Sequence, residues 1–206
     1  SVIGGGYFSG STLLKRAMLG VPGCPFALIL SRSKDFSPYH AAFKFQVKSQ
    51  RGLRIYISLV QQLWDPAESG GWLHVVRDNN WTGYPKKQVL LQAAIGDAQV
   101  AIVGGEFMAR SYRANTVTPQ TKPVYGVPER APPFDGNGFV EWLYEDVPPT
   151  PSTDVPPAHG DTHECPRRER RAQEQMFNFF TSKQVMQPCH PGVCESKTCP
   201  KGNSHN

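Results

Sequence analysis

An almost unbroken apolar run from Val89 to Ile95 ends at Gly96-Asp97, and beyond Val100 an amphipathic pattern begins that reads as a helix from Glu106 to Arg113. A run with so few polar positions reads as a buried strand. The order strand, tight glycine turn, helix is that of an α/β fold. It places the Asp97 carboxylate at the carboxyl end of a buried strand, where open α/β sheets collect their chemistry. Asp97 is therefore the first candidate site residue.

The remaining segments fill out the same pattern. Leu13 to Gly23 reads as the end of a short helix leading into a buried strand, closed by the Pro22-Gly23 turn. Phe26 to Leu30 is a second apolar run. From Tyr39 to Trp64 the residues Phe43, Val47, Leu53, Ile57, Val60 and Trp64 recur at helical spacing, interrupted at Gly52, which predicts two helices. Trp72 to Val76 is a short apolar segment, and Val117 to Gly138 is proline-rich and irregular. Gly138 to Tyr144 reads as the next strand. Pro148 to Pro157 is a loop leading to His159 and His163, and Pro166 opens a last helix whose apolar face is Ala172, Met176, Phe179 and Phe180. After Lys183 the sequence is poor in core formers.

Bulk properties bound the function. With 206 residues, 39% hydrophobic and 19% charged, the chain has room for one domain with a core. No apolar run is long enough to span a membrane. The opening Ser-Val-Ile-Gly-Gly-Gly has no basic leader and no initiator Met, and is expected to be a processed or truncated end. The formal charge of +5 is modest, and Arg167, Arg168, Arg170 and Arg171 alternate with Glu164, Glu169 and Glu174, the pattern of a solvated helix face rather than of a nucleic-acid stripe. Of five cysteines, Cys24 and Cys165 stand apart, while Cys189, Cys194 and Cys199 crowd the tail beside His190. Their spacing departs from the paired pattern of structural zinc, so a disulfide between two tail cysteines is the favoured reading, and with it an oxidising compartment. Asn80-Trp81-Thr82 is a glycosylation acceptor pattern.

The succession of strand, acid at its tip, helix, strand, histidine loop and final helix resembles the carboxyl-terminal half of an α/β-hydrolase. Two places carry the resemblance. Ile95 to Val100 is similar to the segment around that family's triad acid, with Ala101 where the family has proline. Asp161-Thr162-His163-Glu164 sits where the family keeps its histidine. The stretches Met18 to Gly23, Leu30 to Phe36, Gln62 to Asp65 and Gly96 to Val100 resemble more closely a group of large exported bacterial hydrolase-like proteins of poorly defined substrate.

This likeness implies a partial α/β-hydrolase fold, the last strands of a mostly parallel sheet with flanking helices, plus a helical lid. Residues 1–30 would hold the helix and strand that follow the nucleophile elbow, 31–88 the lid, 89–186 the strands and helices bearing acid and histidine, and 187–206 a cysteine-containing tail in which Cys189 and Cys194 pair. It further implies Asp97 and His163 as acid and base of a Ser-Asp-His triad cleaving a small ester or amide without a cofactor, in a secreted or periplasmic protein. No Gly-x-Ser-x-Gly occurs in the chain, so the nucleophile and the oxyanion hole are expected outside it.

Each assignment has a plainer competitor. Asp97 serves equally as a helix cap. His163 competes with His159, and His40 and His74 read as packing or solvent residues, as do Trp64 and Trp72. Gly4-Gly5-Gly6 lacks a phosphate-loop pattern and fits close packing of a helix. At the level of function, the competing reading is a catalytically inactive binding or structural subunit derived from a hydrolase, docking to a protein partner or to the missing amino-terminal half.

Overall fold

Five parallel pairings build the sheet of this protein, whose computed structural model describes residues 1–79, 81–148 and 160–200. The strands are β1 (Arg16–Gly20), β2 (Gln88–Ala94), β3 (Asn115–Val117), β4 (Glu129–Arg130), β5 (Gly138–Tyr144) and β6 (Glu195–Ser196). The helices are α1 (Gly4–Gly10), α2 (Phe26–Leu30), α3 (Ser37–Gln46), α4 (Gln50–Trp64), α5 (Leu73–Asp78), α6 (Ile102–Ser111), α7 (Cys165–Arg168) and α8 (Arg170–Thr181). Strand order is β1-β2-β5-β3-β4, with β6 joining the far end of β5. The architecture is α/β, a parallel sheet of six strands flanked by helices.

The apolar run in β2 is explained by what lies on each side of it. Val89, Leu91 and Ala93 enter one core, shared with Phe8 of α1, Val76 of α5 and Met108 of α6. Leu90 and Ala94 enter the other, shared with Cys165 of α7 and Ala172 and Phe179 of α8. Successive side chains alternate between faces, so helices on both sides require apolar residues at nearly every position. Each fully buried Leu or Phe contributes about 1.5–3 kcal/mol. Gln92 is the polar exception on the α8 side, and its Nε2 donates to the Ala172 carbonyl at 2.9 Å and to Gln175 Oε1 at 2.8 Å.

A third, smaller core of Leu30, Leu53 and Ile57, with Phe36, Phe43, Val47 and Trp64 around it, holds α2, α3 and α4 together. The periodicity from Tyr39 to Trp64 does form two helices, but the break falls at Val47–Ser49 and not at Gly52. Ser49 caps α4 by accepting from the Gly52 N–H at 3.2 Å. Of the stretch expected as a lid, α5 belongs elsewhere: Leu73 and Val76 lie in the central core. The Trp72 to Val76 run is thus helical. Gly5 and Gly6 bring α1 close to its neighbours, since a Cβ at Gly5 would sit 2.4 Å from Ser69 Oγ.

The tail departs most from expectation. Val185, Cys189 and Cys194 are buried in the α8-side core, and β6 pairs with β5 at Leu143 and Tyr144. Two disulfides secure it, Cys189–Cys194 and Cys165–Cys199. Cys165, which stands alone in the sequence, is therefore a bridge from α7 to the tail, and Cys24 is the buried free thiol. Phe180, expected on the apolar face of the last helix, is 47% exposed. Asn80 and His159 lie outside the described residues.

Candidate active site

Parallel neighbours leave the sheet on the same edge, so the loops that follow β2 and β5 meet. The pairing of Ala94 with Trp142 puts the two strand ends level, and Asp97 and the segment around His163 face each other across that edge. Gly96 makes the turn: its φ is +88°, and a Cβ there would lie 3.1 Å from the Pro148 carbonyl and 3.4 Å from the Thr162 methyl. Thr162 closes the junction, its Oγ1 donating to the Ile95 carbonyl at 3.0 Å.

His163 Nδ1 lies 2.8 Å from Asp97 Oδ2. The other carboxylate oxygen of Asp97 accepts from the backbone N–H of Gln99 and of Val100, both at 2.8 Å. Asp97 is 1% exposed, so these contacts hold its orientation without competition from water. The cap reading and the site reading of Asp97 are both true, one on each oxygen.

On the far side of the ring, Arg167 Nη2 is 3.2 Å from His163 Nε2. A guanidinium only donates, so Nε2 accepts and the ring proton sits on Nδ1, pointing at Asp97. This is the tautomer in which imidazole can take a proton at Nε2 while a carboxylate steadies the resulting cation. Arg167 is also paired with Glu164.

Asp161 latches the two loops together. Its Oδ1 accepts from the N–H of Ala98 and of His163, each at 3.1 Å, and its Oδ2 accepts from Gln99 Nε2 at 2.9 Å and from Lys34 Nζ. Burial works against the Asp161 charge, yet these donors outweigh it and hold the carboxyl below its ordinary range. Lys34 is correspondingly raised, first by its hydrogen bond to Asp161.

Beside Arg167 a cavity of about 380 Å³ opens between Met18, Pro166, Ala172 and Met176. It borders β1, which among the described strands pairs only with β2 and so has one free edge. The serines of α1 are otherwise engaged: Ser9 Oγ donates to the Gly5 carbonyl at 2.7 Å, and Ser11 Oγ accepts from the N–H groups of Leu13 and Leu14.

Of the other histidines, His74 stacks edge-on near Trp81 and His40 lines a cavity between α3 and α4. Glu164 turns to Arg167 and Arg168, away from the dyad. Trp64 packs against Phe26 in the small core. Among the described residues no group of three His, Cys, Asp or Glu side chains converges as a metal site. Asp161 and Arg167 are the site residues that sequence reasoning missed. Asp161 accepts from the backbone N–H of His163 two residues on, the habit of Asp in a turn, and Arg167 reaches back to the ring from α7.

No family model, curated protein or solved structure matches this chain. What the site can do follows from its geometry: an imidazole oriented by a buried anion, its Nε2 an acceptor now held by Arg167, is equipped to accept and return a proton once that guanidinium moves aside.

Proposed function

We propose that this chain carries the acid and the base of a serine hydrolase acting on esters or amides, within the closing part of an α/β-hydrolase fold. The observation that carries this reading is the 2.8 Å contact between His163 Nδ1 and Asp97 Oδ2, with Asp97 buried at the carboxyl end of a parallel strand. His163 acts as general base and then general acid through Nε2, and Asp97 keeps the ring in the right tautomer. The nucleophile is a serine in a Gly-x-Ser-x-Gly turn outside these 206 residues, on a strand that adds to the free edge of β1. The engagement of Ser9 in α1 and of Ser11 at its end in hydrogen bonds supports that assignment. The two disulfides fit a secreted or periplasmic protein.

The free β1 edge also favours a second reading, an inactive subunit that pairs with a partner strand there. One experiment separates the two. The protein is isolated as its gene encodes it, treated with a fluorophosphonate, and the adduct located by mass spectrometry. Labelling of a serine in a Gly-x-Ser-x-Gly turn, lost in His163→Ala, is expected. No adduct, or one indifferent to His163, overturns the catalytic reading. The isolated 206-residue chain is expected to stay unlabelled at Ser1, Ser9 and Ser11.

A further inference from the structure

Helices α3 and α4 present an apolar surface that nothing in the fold covers. On α4, Leu53 and Ile57 turn inward, while Ile55, Leu59 and Leu63 follow one another at four-residue spacing on a different face and are 53%, 59% and 77% exposed. Tyr56 flanks that line and touches Phe43 of α3, ring centroids 5.5 Å apart. On α3 no residue is buried, and Phe45 is 80% exposed. A helix with a second outward apolar stripe burdens a protein in water unless something else receives it.

Charge indicates what receives it. Between Asp35 and Asp65 the sequence has Lys44, Lys48, Arg51 and Arg54 and not one acidic residue, whereas the rest of the chain holds eighteen basic against seventeen acidic residues. Nearly all the net positive charge of the protein therefore sits on this helical pair, and all four of these side chains are exposed. The cavity of about 500 Å³ between the two helices is lined by Arg32, His40, Lys44 and Arg54, with Ser31 and Ser58, and by no carboxylate. Exposed aliphatic and aromatic side chains beside an exclusively cationic flank are the composition of a helix that lies in a lipid headgroup layer.

We propose that the α3–α4 pair is a docking surface for anionic phospholipid, seating Ile55, Leu59, Leu63 and Phe45 at the headgroup–acyl boundary while the four cations engage lipid phosphates. No helix among the described residues is long and apolar enough to cross a membrane. The lipid contact does not depend on whether Asp97 and His163 catalyse anything.

The test is co-sedimentation of the chain with vesicles of phosphatidylcholine alone and of phosphatidylcholine mixed with phosphatidylglycerol. Binding is expected to the mixed vesicles only, weakening as salt is added. The double variant L59S/L63S, at two exposed positions, should lower binding at least about tenfold, and Arg51→Gln and Lys44→Gln about fivefold each. Phe177→Ser on α8, an exposed aromatic residue outside the α3–α4 pair, should bind as the parent does. Circular dichroism checks that each variant is folded, and the charge variants decide the matter should L59S/L63S lose structure. Equal binding to both vesicle types, no binding, or equal loss in Phe177→Ser overturns the proposal. So does self-association in sedimentation velocity that L59S/L63S abolishes without any vesicle binding, because the stripe would then serve a second copy.

Discussion

Arg167 Nη2 lies 3.2 Å from Nε2 of His163, so the nitrogen that would take a proton from a nucleophile is covered by a guanidinium. A guanidinium offers only donors, so Nε2 is the accepting atom of that contact. Arg167→Ala should expose Nε2 and raise the rate of diethylpyrocarbonate modification of His163 severalfold, read by mass spectrometry. An unchanged rate would mean that the guanidinium does not shield the ring in solution.

Asp97 divides its labour between oxygens, which makes Asp97→Asn informative. The oxygen capping Gln99 and Val100 survives in Asn, but the position facing His163 Nδ1 becomes either an amide donor or a weaker acceptor. A stability loss of about 1–3 kcal/mol in urea unfolding is expected. Proton NMR should show a downfield Nδ1 proton in the parent and its loss in the variant. A variant spectrum that keeps this proton would refute the hydrogen bond.

Asp161 binds the two loops, and its contribution depends on charge. Its folded pKa is depressed, so the stability it confers is present above the ordinary carboxylate value of about 4 and is lost as pH falls through the lower folded value. Asp161→Ala should cost about 2–4 kcal/mol at neutral pH, since four donors lose one acceptor. The gap between variant and parent should close on acidification. A gap independent of pH would show that bulk, not charge, is what Asp161 supplies.

Glu141 on β5 behaves oppositely. Burial pushes its carboxyl up to about 8, opposed by Lys122, whose Nζ is 3.6 Å away, and assisted by Glu106. The folded state holds this proton longer than the unfolded chain does, so stability should fall as pH rises from about 4.5 to about 8. Glu141→Gln removes that slope and should raise the melting temperature at pH 8.5 with little change at pH 5. Parallel melting curves for the two proteins across that range would sink the expectation.

The disulfides should rank by the loop each closes. Cys165–Cys199 spans a separation of 34 residues and Cys189–Cys194 only 5. Loop entropy alone gives about 4 and about 2 kcal/mol respectively. Cys199→Ser should therefore destabilise more than Cys194→Ser, and it should also loosen the turn that carries His163, two residues before Cys165. Faster hydrogen exchange near His163 in Cys199→Ser is the check.

Much of this was legible along the chain where the signal is local. The alternating faces of Val89 to Ile95 and of Gly138 to Tyr144 become β2 and β5 within a residue, because two-sided burial leaves an apolar run that periodicity exposes. The helices from Tyr39 to Trp64 were legible for the same reason. Trp72 to Val76 was not, being too short to display a helical period. Phe180 misled because a helix face is judged apolar before its neighbours are known.

By itself, then, the sequence determined an α/β order of elements, a buried carboxylate at a strand tip and a histidine before the last helix, since each rests on residues close together in the chain. The tertiary structure alone decided that β2 and β5 are neighbours and so bring Asp97 to His163. It also decided that Arg167 covers the ring, that Asp161 latches the loops with Lys34 from the segment between α2 and α3, and that Cys165 reaches Cys199. Those contacts join residues far apart in sequence or depend on side-chain direction. Strand order and packing set them, and no local pattern records either.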